Sequence, residues 1–173
     1  MLGALKYYSL IKEADAIDRL PELKGEPVLK NLIKIANEKD GEFETFRVEN
    51  KSRKLTDGRL EKTYMVGFIF RDRSGFRDKD INLLIAGRCS RLLDAACNES
   101  KSMGNSLDSP EWQQPHLLIQ PAILPDEGSL EGWIVDLCMT CRGSSMLMVQ
   151  NRLEILVEAF LPIFQGLPAR EVQ

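Results

Sequence analysis

One histidine, four cysteines and no phosphate-cradling glycine loop occur in 173 residues, and each scarcity excludes a class of chemistry. A Ser-His-Asp or Cys-His arrangement would have to use His116, which sits between Pro115 and the apolar run Leu117-Leu118-Ile119. No Gly-x-Ser-x-Gly turn accompanies it to present a nucleophile. A lone histidine in that setting more often serves structure or surface than catalysis. The glycines are spread singly, so none of the loops that wrap nucleotide phosphates is present.

Long apolar runs are also missing, and nothing nears the ~20 residues of a membrane-spanning helix. Glu13 and Asp15 interrupt the start before a signal-peptide apolar region forms, and Gly3 is one place too late for myristoylation. A cytoplasmic location is expected, and four cysteines without framework spacing fit a reducing compartment.

Cys138-Met-Thr-Cys141 has the spacing of a redox pair or of half a zinc site. Zinc would need two further ligands, and Cys89 and Cys97 are the candidates. They are separated along one expected helix by about 12 Å, whereas sulfurs on one zinc ion lie within roughly 4 Å of each other. Cys138 and Cys141 fall on an expected strand, where positions i and i+3 face opposite sides. Buried, inert cysteines are therefore expected, with no metal, no cofactor and no catalytic residue. The acidic side chains are scattered, and Asp78 and Asp80 fit helix capping.

What is present is ordinary for a globular protein: 43% hydrophobic and 28% charged residues, net charge −3 and a pI near 5.4. A chain this long can bury most of its apolar surface in one core. Residues 2–20 read as a helix stopped by Pro21, and 27–38 as a second, with Val28, Leu29, Leu32, Ile33 and Ala36 on one face. A half-buried strand follows from Phe43. Asp57-Gly58 marks a hairpin turn, and the return strand 60–71 is apolar on both faces at its centre.

Residues 72–79 read as a charged turn, and Asp80 as the N-cap of a helix running to about 97. The polar stretch 98–114 reads as a loop. Strands near 116–123 and 131–140 precede a last helix from about Ser144. The expected order is α-α-β-β-α-β-β-α: a single α+β domain over 1–173. Residues 1–40 form a helical N-terminal segment, and 41–173 a small antiparallel or mixed sheet with two long helices on one face.

Two surfaces are candidates for binding. Lys51, Arg53, Lys54, Arg59 and Lys62 crowd the first hairpin, and Arg71, Arg73, Arg77 and Lys79 crowd the next turn. They read either as a solvated rim or as a contact surface for phosphate backbones, acidic proteins or anionic lipid. Met146, Val149, Leu153, Leu156 and Phe160 repeat at helical spacing, either as core or as a docking face for a partner helix.

Residues 61–93 resemble the central strand–turn–helix of rhabdovirus matrix proteins, carried by Glu61, Lys62, Tyr64, Phe68, Arg71, Phe76 and Arg77. The resemblance implies a structural protein that self-associates, binds nucleoprotein, makes peripheral membrane contact and resides in host cytoplasm and virion. The expectation is thus a non-enzymatic assembly protein. The alternative is a dimeric cytosolic secretion chaperone or adaptor holding a protein cargo, which rests on architecture alone.

Overall fold

The computed structural model describes residues 16–38, 41–102 and 112–166. It contains α1 (Ala16–Arg19), α2 (Pro27–Ala36), β1 (Phe43–Lys54), β2 (Leu60–Phe70), α3 (Arg73–Arg77), α4 (Lys79–Ser102), β3 (Trp112–Leu124), β4 (Leu130–Gly143) and α5 (Met146–Gly166). The four strands form one antiparallel sheet in the order β1-β2-β4-β3. This is the expected α+β domain in the expected order, with α3 added. Most of the first expected helix lies outside the described residues.

Alternation along each strand divides the side chains between two faces. One face is covered by α2, α4 and α5. Val48, Val66, Leu137 and Leu117 form one rung there, with Phe68 and Val135 on the next. Above them pack Ile85 and Cys89 of α4 and Phe160 and Phe164 of α5. Leu29, Leu32 and Ile33 of α2 join the same core and are fully buried. Pro27 occupies the first turn of α2, where its missing N–H costs nothing.

Local chemistry explains where the elements fall. The hairpin after β1 closes with hydrogen bonds from Leu55 N to Arg59 O at 2.8 Å and from Gly58 N to Leu55 O at 3.0 Å. Gly58 takes φ +85°, which a side chain would resist. β1 is longer than expected. A bulge between Thr45 and Arg47 turns Phe46 inward, so Phe43–Val48 is buried throughout rather than alternating.

Three boundaries differ from the sequence reading. The 72–79 turn contains α3, capped by Asp72, whose carboxylate accepts from Ser74 N at 3.2 Å. The cap of α4 is Asp78, not Asp80: its Oδ1 accepts from Asp80 N at 2.9 Å and Ile81 N at 3.1 Å. The polar 98–114 stretch is not all loop, since α4 continues to Ser102 and β3 begins at Trp112. Ser, Asn and Lys on the outer turns of a helix need no core, so polarity alone did not mark its end.

Candidate functional site

Among the described residues the second face of the sheet carries no long helix. α3 folds over one end of it, where the Phe76 ring lies against Gly132 and leaves no room for a side chain. The rest is built of rungs that cross the strands. Arg53, Glu61 and Arg142 stand side by side on β1, β2 and β4. Next come Lys51, Thr63 and Thr140, then Glu49, Met65, Cys138 and His116, then Arg47, Gly67, Asp136 and Leu118.

The deepest rung is ionic. Arg47 donates to Asp136 through Nε at 2.8 Å and Nη2 at 2.5 Å, and Asp136 has no exposed surface. Gly67 lies between them because a Cβ there would come within 2.6 Å of Asp136 Oδ1 and 2.9 Å of Arg47 Cγ. Burial raises the Asp136 carboxyl above its ordinary range, and the Arg47 guanidinium opposes that rise. The pair fixes the register of three strands at the cost of removing two charges from water.

The outermost rung is a fork. The buried Glu61 accepts from Arg53 Nε at 2.6 Å and from Arg142 Nε at 2.7 Å. Burial alone would raise this carboxyl, but the two arginines outweigh it and hold it below the usual range. Beside the fork lies a depression of about 490 Å³ lined by Glu49, Lys51, Ser52, Arg53, Glu61, Thr63 and Met65. On the neighbouring rung the Thr63 and Thr140 hydroxyls are 2.9 Å apart.

The expected basic residues separate into two groups. Lys51, Arg53 and Lys54 are exposed at the hairpin end of β1, whereas Lys62, expected in the same basic cluster, is buried against Glu26 on the covered face. Arg71, Arg73, Arg77 and Lys79 lie beyond the other end of β2, an 11-residue strand roughly 35 Å long. Arg71 is committed to main-chain oxygens, Phe43 O at 2.8 Å and Glu38 O at 2.5 Å. Arg73 joins Glu44 at 2.6 Å to Glu127 at 2.5 Å. Arg77 remains exposed, and Lys79 lies 4.9 Å from the centre of the Trp133 ring. The two basic clusters do not form one continuous patch.

The expected helix docking face is turned inward. Val149, Leu153, Leu156 and Phe160 are buried against this chain's own sheet, with Met146 half-buried at the start of α5. The stripe is core. Among the described residues the large apolar side chains exposed on α5 are instead Leu147 and Met148.

Cys138 and Cys141 lie on opposite faces of β4, as strand geometry requires, and both are buried. Burial pushes the Cys141 thiol up to about 12 and the Cys89 thiol up to about 11, and it raises Cys138 as well. These thiols stay protonated near neutral pH and are poor nucleophiles. Among the described residues no group of three metal-ligating side chains comes together. The side chain of Cys97 lies outside what is described. His116 is exposed across the rung from Cys138, and no hydrogen bond joins them.

Sequence reading missed a buried polar cluster on the covered face. Lys62 and Tyr64 of β2 both donate to the carboxylate of Glu26, and Asn50 Nδ2 reaches the same group at 3.2 Å. Burial would raise Glu26, but these donors outweigh it and hold the carboxyl below its ordinary value. The Tyr64 hydroxyl is pushed up by burial and by the adjacent carboxylate. Glu26 immediately precedes α2, so the cluster fastens that helix to the sheet. A lysine and a tyrosine two apart on a strand were the only trace of it in the sequence.

No family model, no curated protein and no solved structure matches this chain. Among the described residues no helix is long and apolar enough to cross a membrane.

Proposed function

We propose that this chain is a non-enzymatic assembly protein that works by self-association and by binding protein or nucleoprotein through the second face of its sheet. The observation that carries this reading is the one-sided layering. α2, α4 and α5 cover one face, while the other exposes Leu118 and half-exposes Met65 between rungs of charged side chains. Apolar side chains framed by a charged rim match the usual composition of a protein-binding surface. Three buried carboxylates are engaged in ion pairs or hydrogen bonds: Glu61 with two arginines, Asp136 with Arg47, and Glu26 with Lys62 and Tyr64. The matrix-like version of the proposal rests on the residue resemblance over 61–93. An adaptor dimerising through the apolar stripe of α5 is disfavoured, because that stripe is the core.

The test is sedimentation at graded protein and salt concentrations. Concentration-dependent association that weakens with salt is expected, because the rim of the face is charged. A strict monomer under all conditions would overturn the proposal.

A further inference from the structure

The rung at the open end of the second face has a geometry that bulk charge does not explain. Arg53 and Arg142 reach Glu61 from opposite sides, each through Nε. No hydrogen bond among the described residues occupies their terminal amino groups. Glu61 is buried, so its carboxylate acts as a fixed post that holds two guanidinium planes in place. Held guanidinium groups with vacant N–H donors are suited to a tetrahedral oxyanion, which accepts several charge-assisted hydrogen bonds at once.

The surroundings agree. Lys51 lies on the next rung, its side chain 74% exposed and ion-paired with Glu49. On this face Lys51, Arg53 and Arg142 set three cations against the two carboxylates Glu49 and Glu61. The adjoining depression of about 490 Å³ has room for a phosphate group and part of what carries it.

We infer that Arg53 and Arg142, held by Glu61, form a phosphate-binding fork, with Lys51 completing its rim. This rests on the reading of the second face as a binding surface and names one chemistry for it. The phosphate comes either on a small molecule or in a nucleic-acid backbone, and one experiment separates these sources.

The full chain is titrated calorimetrically with inorganic pyrophosphate and, separately, with a short single-stranded RNA. Pyrophosphate should bind in a salt-dependent manner. RNA binding much more tightly than pyrophosphate assigns a backbone track, and pyrophosphate binding alone assigns a small-ligand site. Arg142→Lys preserves the charge but not the fork, and should weaken binding roughly tenfold or more, the loss expected for charge-assisted hydrogen bonds. Glu61→Gln removes a negative charge, so a simple electrostatic field predicts tighter binding, whereas the fork predicts weaker binding. Circular dichroism confirms that each variant is folded, and Arg142→Lys decides the matter if Glu61→Gln is not. No binding of pyrophosphate by the wild-type chain, or tighter binding by Glu61→Gln, overturns the fork. Self-association that persists after either result leaves the assembly reading intact, so the two failures are distinguishable.

Discussion

The two faces of the sheet are made from the same four strands and use opposite means of burial. The covered face excludes water with apolar side chains under three helices, and its polar inclusions are few and paired. The second face buries its central strand under its own neighbours. Arg47 spans to Asp136 across Gly67, and two arginines converge on Glu61. Helix cover gives stability without specific polar geometry. A face without it places charged groups in rungs, where they hold register and remain within reach of solvent and partners.

The contrast can be broken most severely on the covered side. Leu156→Asp places a charge in the core beneath α5, and Phe160→Ala leaves a cavity there; the latter should cost about 3–5 kcal/mol and the former more. Urea denaturation measures both, and a loss below 1 kcal/mol would mean that the stripe is not core.

The buried ion pair comes next. Asp136→Ala removes the close partner of the buried Arg47, leaving Glu49 at 3.8 Å, and should cost about 3 kcal/mol. Replacing both residues, as Arg47→Met with Asp136→Leu, should restore most of that loss. Equal destabilisation in the single and double variants would argue that packing, not charge, is the determinant.

A smaller effect on the covered face is read by pH. The folded-state pKa of Glu26 lies below its ordinary 4.5, so its contribution is complete above that value and is lost as pH falls through the folded pKa. Glu26→Gln should therefore be less stable than wild type at pH 7, with the gap narrowing in acid. A gap that is constant with pH would show that the Glu26 charge plays no part.

The smallest stability effect is expected where function is proposed. Leu118→Ser is exposed and should change stability by only about 0.5 kcal/mol, yet weaken self-association. Unchanged sedimentation would remove the centre of the second face from the binding surface.

Several features were legible from residues alone. The 3.6-residue repeats of α2 and α5, the Asp57-Gly58 turn and the doubly apolar centre of β2 placed elements correctly because they encode local geometry. The opposite facing of Cys138 and Cys141 followed from strand alternation. The fork was only half visible. Arg53 stood out as basic, but Glu61 and Arg142 are its neighbours only through strand pairing, and Arg142 is far away in sequence. The same holds for Arg71 and Arg73, which read as surface charge and are consumed by main-chain oxygens and by Glu44 and Glu127.

The sequence by itself determined the class and order of the elements, because propensity, turn chemistry and apolar period act over a few residues. Tertiary structure decided which face of the sheet the described helices cover, which cations find carboxylates and which stripe becomes core. Those outcomes depend on register between strands distant in the chain, and register is set by the packing of the whole domain.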